Sequence, residues 1–559
     1  MLRALMLRAL MLRALMLLAV LAGACAHRTP VGELRFHNQA PVWRVDDRPP
    51  LAAPPATRIS TRSLYHADGF LVRRATRAME VRAAVGAQDV NARGEVPDST
   101  WFTNRIGVRD LSLEELRAGP NVSPSPFDHL PWKITGAKIG GLSIGFVFED
   151  ARGGRHILKF DQADTPEMET GAHAIVHRIL WAIGYNVPED HVGHVHRRDL
   201  QIAPGATTKR PTGAKVPLTE AELDAALARV AREADGRIRV LASRFLPGKP
   251  IGPYAREGTR ADDPNDVIPH ERRRSLRGQY AIFAWLNHTD LQEDNTLDVF
   301  TGDHVVHYLI DFGKVLGVMG HHLKWRTVGY THRIDVGMAA RSLVSFGLWK
   351  RPWEGIERPA LRGVGLLEAA HYDPGAWRPN SLYWPLEDKD RFDAFWGAKL
   401  LMRFSPAQLA AIVGEARFTD PRASRYMLEA LIARQRKTAR YWFDRVAPLD
   451  AFAAEAGPGG AARVCFTDLT LAYALDAAAT RYAVDAYDRA GGGLGAPRTL
   501  GAGRGGRTCI DGVALAPGAD AYTIMRLRVR RDARELPPVV VHLARDAGGR
   551  VQVIGLGRR

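Results

Sequence analysis

Two acidic loops carry residue types that could do chemistry. The first reads L-N-H-T-D-L-Q-E-D-N-T-L-D-V-F over 286–300 and sets Asp290 and Asn295 five residues apart, after the apolar stretch Tyr280-Ala281-Ile282-Phe283-Ala284-Trp285. The second reads Y-L-I-D-F-G-K over 308–314, with Asp311 at the end of a short apolar strand and Phe312-Gly313 behind it. Phosphoryl transfer asks for this kind of set. One carboxylate must orient or deprotonate an acceptor, and an Asn/Asp pair must hold Mg²⁺ against phosphates. Asp290 suits the first task; Asn295 and Asp311 suit the second. Acidic turn residues on a helical protein would account for either loop alone. Both together, in this order and with the two aspartates 21 residues apart, form a set.

The elements that must position these groups lie upstream. Strand signals dominate from Trp132 to Phe160, punctuated by G-G at 140–141 and R-G-G at 152–154. The hairpin K-I-G-G-L-S-I-G-F-V-F at 138–148 carries Gly140, Gly141 and Gly145, which could let backbone approach phosphates, although a hairpin needs glycine in any case. Lys159 stands between Leu158 and Phe160, so on a strand it points away from both. A helix is predicted over 166–183, with Thr165 as N-cap, Pro166 in the first helical position and Gly184 as its stop. Glu169 shares a face with Ala172, Val176, Leu180 and Ile183 and looks inward. Glu167 aligns with Gly171, Ala174 and Arg178 and looks outward. Acid favours a helix N-terminus whatever its role. A second helix starts at Thr219, which forms a capping box with Glu222, and helical patterns prevail over 270–447.

On these residues the chain resembles the protein-kinase-like superfamily, whose catalytic and metal loops read H-x-D-x-x-x-x-N followed by D-F-G. Here they are His288-Thr289-Asp290, Asn295 and Asp311-Phe312-Gly313. Thr289 replaces an arginine common in that triplet, as it does in atypical branches. The resemblance covers roughly 130–330 by motif and reaches about 447 by helical character. With G-Y-N-V-P-E at 184–189, it looks most like the branch holding HipA-type toxin kinases and phosphatidylinositol kinases, in a family of bacterial lipoproteins. It implies an α+β, bilobed fold with a β-rich N-lobe (127–248) and a helical C-lobe (249–448). It also implies ATP as nucleotide, held by Gly140, Gly141, Ser143, Gly145 and Lys159. Lys159 becomes the phosphate-pairing lysine and Glu169 its helix partner. Two functions compete: an ATP- and Mg²⁺-dependent phosphotransferase with an unknown protein or small-molecule acceptor, and a catalytically silent binding or scaffold module. A scaffold needs none of Lys159, Asp290, Asn295 and Asp311 in this order.

The flanks and the composition set the context. The chain has 559 residues, 46% apolar and 25% charged, which excludes wholesale disorder and suggests two to four domains. Its formal charge is 77 − 61 = +16, but 65 of the 77 cations are arginines scattered along the chain. That reads as a solvated basic surface, not a nucleic-acid stripe. Residues 1–25 read as an export leader: Arg3, Arg8 and Arg13, an apolar run from Ala14 to Ala24, then Ala22-Gly23-Ala24-Cys25. This resembles a lipobox, so Cys25 is expected to carry lipid and to tether the protein to the bacterial envelope outside the cytoplasm. Plain secretory cleavage and an uncleaved segment are the alternatives. Residues 26–126 read as a Pro-rich tether and an extension whose Trp101 and Phe102 dock on the main body. The Gly/Pro stretch at 456–460 reads as a boundary before a small β-rich domain at 461–559. Cys465 and Cys509 remain as one even pair there, either bridged or two separate buried thiols. His191, His194 and His196 read as an exposed strand before a metal site, and Arg272, Arg273, Arg274 and Arg277 as helix-surface charge before an acidic-acceptor dock.

Overall fold

The structure, a computed structural model, describes residues 31, 34–59, 67–80, 84–137, 144–210, 214–318, 327–476 and 478–558. The leader with Cys25, and Gly140, Gly141 and Ser143 of the glycine hairpin, lie outside the described residues. Two compact units emerge: Val42–Val446, and Ala447–Arg559 together with the segment up to Pro41.

The larger unit has the α+β, two-lobed order implied by its motifs. Its first lobe is a seven-stranded sheet in the order β4-β7-β3-β2-β1-β5-β6. The strands are β1 (Trp132–Ala137), β2 (Gly145–Glu149), β3 (Arg155–Phe160), β4 (Asp190–Val195), β5 (Leu200–Lys209), β6 (Lys215–Pro217) and β7 (Ile238–Arg244). Neighbours are antiparallel except β1 and β5. Alternation sends Trp132, Ile134, Phe146, Phe148, Leu158 and Phe160 to one face. They form a core there with Leu223 and Leu227. Those two leucines come from α2 (Glu220–Leu227), which begins with the Thr219–Glu222 capping box.

Helix α1 (Met168–Ile183) crosses between β3 and β4 and is buried at every position but Trp181. It starts later than the sequence predicts. Glu167, not Thr165, holds the N-cap position, in a left-handed conformation at φ 67°. Nor does Glu167 look outward: it is 1% exposed, and its carboxylate takes the Arg362 guanidinium at 2.6 Å and the Thr419 amide at 3.0 Å. The face argument fails because residue 167 stands before the helix and does not share its periodicity.

The second lobe is built on α3 (Gln279–Leu286), with α4 (Val336–Val344), α5 (Arg391–Leu401), α6 (Pro406–Gly414) and α7 (Pro421–Phe443) following. The end of α3 is fastened to α7: Arg434 donates to the Ala284 and Trp285 carbonyls at 2.6 and 2.8 Å, and Trp285 Nε1 donates to Leu431 O at 2.8 Å. A cation thus satisfies carbonyls left over at a helix C-terminus. Arg273, Arg274 and Arg277 are buried rather than solvated. Arg273 reaches Asp266 at 2.8 Å, Arg274 reaches Asp393 at 2.9 Å, and Arg277 donates to Glu271 O at 2.6 Å. Asp393 lies more than a hundred residues away, out of reach of any local reading of charge. Trp101 and Phe102 are buried in this unit, Trp101 stacked on His307 at 3.6 Å.

The smaller unit is β-rich. Leu449–Ala456 pairs antiparallel with Ala462–Asp468, so the Gly/Pro stretch read as a boundary is a hairpin turn inside this unit. Cys465 and Cys509 face each other on paired strands and are joined by a disulfide, with their Cα atoms 4.0 Å apart. Phe36 packs on the same unit: a Cβ on Gly555 would meet its ring at 2.4 Å, and the Phe36 amide donates to the Tyr522 hydroxyl at 3.0 Å.

Candidate active site

The site is assembled by two hairpins and a helix. After β8 (Lys249–Pro250) come β9 (Thr296–Phe300) and β10 (Val305–Leu309), which pair antiparallel with Leu309 opposite Thr296. That register brings the residue before β9 and those after β10 together, and Ile310 N donates to Asn295 O at 3.0 Å. Asn295 and Asp311 therefore flank the open end of one hairpin. Asn295 Nδ2 donates to the Asp290 carbonyl at 2.7 Å, which folds the 290–295 loop onto the same end. The loop leaves α3 through Asn287, left-handed at φ 51°, a conformation asparagine tolerates better than most residues.

Asp311 is also left-handed, at φ 63°, and its side chain is 40% exposed. Lys159, on the face of β3 opposite Leu158 and Phe160, donates to Asp311 Oδ1 at 2.8 Å. The pair spans 152 residues of sequence and joins the β lobe to the helical lobe. Glu169 lies beside the same turn: a Cβ built on Gly313 would stand 3.3 Å from Glu169 Oε2 and 3.4 Å from His173 Nε2. Glycine at 313 is what lets the 311–313 turn approach α1 this closely. Asp290 is tied on both sides, by Gln292 Nε2 at 2.8 Å and by Lys314 Nζ at 3.4 Å. Of the glycine hairpin only Gly145 is described, opposite Lys159 in the β2–β3 register.

Three groups were given no role by the motifs. His173 stands one turn beyond Glu169, with Nδ1 at 2.8 Å from Asp190 and Nε2 at 3.7 Å from Asp311. Burial and the Lys159 charge push its pKa down, but Asp190 and Asp311 outweigh them and hold it above the ordinary histidine value. Asp190 is itself drawn down to about 2, because His173 and its hydrogen bonds overcome the penalty of burial. Lys314 follows the glycine of the second motif directly. The i,i+4 spacing from Glu169 and the cation after Asp311-Phe312-Gly313 were the available signals. His288 is buried against Phe283 at 4.6 Å, and burial lowers its pKa to about 4 against the pull of Asp290 and Asp311. Phe312, fully buried, lies edge-on to His173 and His288 at 5.8 and 6.5 Å.

The donor set suits a hard cation. Asp311 offers a half-exposed carboxylate, and the Asn295 bond to Asp290 uses the amide nitrogen, leaving the amide oxygen outside that bond. The described residues contain no cluster of three or more His, Cys, Asp or Glu that could hold a metal. The His191–His196 strand is no exception, His194 lying 3.9 Å from Glu233. Mg²⁺ needs no such cluster, since it is usually bound by one or two side chains with phosphates and water.

No family model matches the chain, and no curated protein is similar to it. Two solved structures of the Golgi casein kinase, one with Mn/ADP bound, are similar over 59% of this chain. They are 11% identical, with 73% and 72% of their own chains covered and TM-scores of 0.29 and 0.30.

Proposed function

We propose that the chain is an ATP- and Mg²⁺-dependent phosphotransferase of protein-kinase-like architecture, tethered to the bacterial envelope through a lipid on Cys25. The observation that carries the reading is the contact of Lys159 with Asp311 at 2.8 Å, set beside a loop in which Asn295 is fastened to Asp290. Four residues of the types needed for phosphoryl transfer thus converge from three elements. Asn295 and Asp311 would hold Mg²⁺, and Lys159 would meet the phosphates. The bound Mg²⁺–nucleotide supplies an electrophilic phosphorus and neutralises its charge. Asp290 would accept a hydrogen bond from the acceptor hydroxyl and take its proton as the new O–P bond forms and the bond between the γ-phosphorus and the ADP oxygen breaks, releasing ADP. Lys314 holds that carboxylate in place.

The test is a γ-labelled ATP assay with purified protein and envelope extract, paired with thermal unfolding with and without Mg²⁺–ATP. Label transfer and a nucleotide-dependent rise in the melting temperature are expected, because a ligand stabilises the fold that binds it. A chain that neither binds nucleotide nor transfers label is the silent scaffold instead.

A further inference from the structure

We propose that residues 334–351, a helix and the turn after it, form a bilayer-docking hook that seats an apolar face among anionic lipid headgroups. This goes beyond the phosphotransfer reading and beyond the lipid on Cys25, because it places a second membrane contact in the folded unit itself. Helix α4 buries none of its residues. Within the fifteen residues 334–348, six large apolar side chains stand in solvent: Ile334, Val336, Leu343, Val344, Phe346 and Leu348. Phe346 is 94% exposed, Leu348 86%, and Leu343 and Val344 78% each. On the helix, Val336, Ala340, Leu343 and Val344 follow the i, i+4, i+7, i+8 spacing of one face. In a globular unit such a face points to the core; here it points away from the protein. Phe346 also holds a left-handed backbone at φ 51° while standing almost wholly in solvent. Strain of this kind persists where a fixed presentation is useful.

Charge identifies the occupant. Arg333 and Arg341 stand exposed before the tip, and Lys350 and Arg351 directly after it. The one acid between 333 and 351, Asp335, is spent inside the fold, accepting from the Met338 amide at 3.0 Å and the Thr331 hydroxyl at 3.2 Å. Four cations and one acid leave +3 around an apolar tip. An anionic bilayer surface offers hydrocarbon to the tip and phosphate to its flanks at once. Trp349, with Arg341 6.0 Å above its ring, is the amphipathic residue suited to the boundary between them. Among the described residues no helix is long and apolar enough to cross a membrane, so the contact is interfacial. The hook is also wired to the candidate active site: Arg333 N donates to Asn380 O at 2.8 Å, and Asn380 N donates to Thr289 O at 2.9 Å.

The experiment uses the full chain with Cys25→Ala, so that no lipid is attached, and Phe346→Cys labelled with an environment-sensitive fluorophore. Cys465 and Cys509 are joined to each other, so the label has one thiol. Vesicles of phosphatidylethanolamine with phosphatidylglycerol should shift the emission to the blue, and salt should reduce the shift. Phosphatidylcholine vesicles should give a weaker response. On the Cys25→Ala background, Leu343→Asp with Leu348→Asp should lower vesicle association at least about tenfold, from the lost apolar burial. Both side chains are exposed, so the melting temperature should not move. No blue shift, or vesicle binding that the two aspartates leave unchanged, would overturn the proposal. An equal response to neutral vesicles would overturn its charge argument. A shift without vesicles that grows with protein concentration would assign the face to a second copy of this chain.

Discussion

At the scale of single residues, the two aspartates of the site have different surroundings, and the proposed roles divide along them. Asp311 is half-exposed and faces Lys159 and His173, as a group that neutralises phosphate charge through a cation would. Asp290 is nearly buried and held by Gln292 and Lys314, as a group that acts on one acceptor hydroxyl would be. Asp311→Ala should therefore abolish Mg²⁺–ATP binding in calorimetric titration. Asp290→Ala should leave binding intact and lower transfer about 10²-fold or more. Asn295→Ala should weaken binding without abolishing it, since the carboxylate ligand remains. Loss of binding in Asp290→Ala alone would show that the two aspartates have been given each other's tasks. A pH effect belongs to this scale too. His177 is buried, its Nδ1 donates to His173 O at 2.6 Å, and burial with the Arg178 charge lowers its pKa to about 3. The unfolded chain takes up that proton near pH 6.5. Between those values the unfolded state binds more protons, so stability rises with pH and falls on acidification. Urea unfolding at pH 7 and pH 5 should show a smaller difference in His177→Gln than in the parent; an unchanged difference would exonerate this histidine.

At the scale of elements, the site depends on how β3 is fastened to α1. Asp161, just past the strand that carries Lys159, accepts from the Thr170 amide at 3.0 Å and the Thr170 hydroxyl at 2.6 Å. Thr170 is the neighbour of Glu169, and Arg239 on β7 donates to the same hydroxyl at 2.7 Å. One buried carboxylate thus sets the spacing between the lysine strand and the first turn of the helix. Asp161→Ala should cost about 1–3 kcal/mol, because the Thr170 amide and hydroxyl lose a buried acceptor and Arg239 loses the carboxylate 3.7 Å from it. It should also weaken nucleotide binding without touching the nucleotide. Chemical denaturation beside titration would read both; a destabilised variant with full affinity would make Asp161 purely structural. None of this was legible in the sequence, because Asp161, Thr170 and Arg239 meet only in three dimensions. What was legible was periodic or local: the alternation that turns Lys159 away from Leu158 and Phe160, the inward face of Glu169, and the capping box at Thr219. The start of α1 was not, since Glu167 is fixed by Arg362 and Thr419, nearly two hundred residues and more downstream. The buried Arg274 and Arg277 were misread for the same reason, since both face Asp393, more than a hundred residues downstream.

At the scale of the whole molecule, the chain divides into two units with separate cores, and the disulfide belongs to one of them. Cys465 and Cys509 are 44 residues apart in sequence and sit on adjacent strands of the smaller unit. Closing a loop of that length lowers the entropy of the unfolded chain, by the loop-closure model about 4 kcal/mol at 25 °C. A small domain is stabilised by about 5–15 kcal/mol in total, so the link is a large share of what holds this unit folded. Both cysteines are half-buried, so Cys465→Ala with Cys509→Ala removes the link without opening a large cavity. The doubly substituted chain should unfold its smaller unit at a lower denaturant concentration. The Mg²⁺–ATP-dependent stabilisation of the larger unit should stay as it was, because Lys159, Asp290, Asn295 and Asp311 all lie within 42–446. Reductant should move the parent towards the substituted chain and leave the substituted chain unmoved. If the substitution leaves the transition where it was, the strand pairing holds the unit together and loop closure adds nothing. If it also removes the nucleotide effect, the two units do not unfold independently.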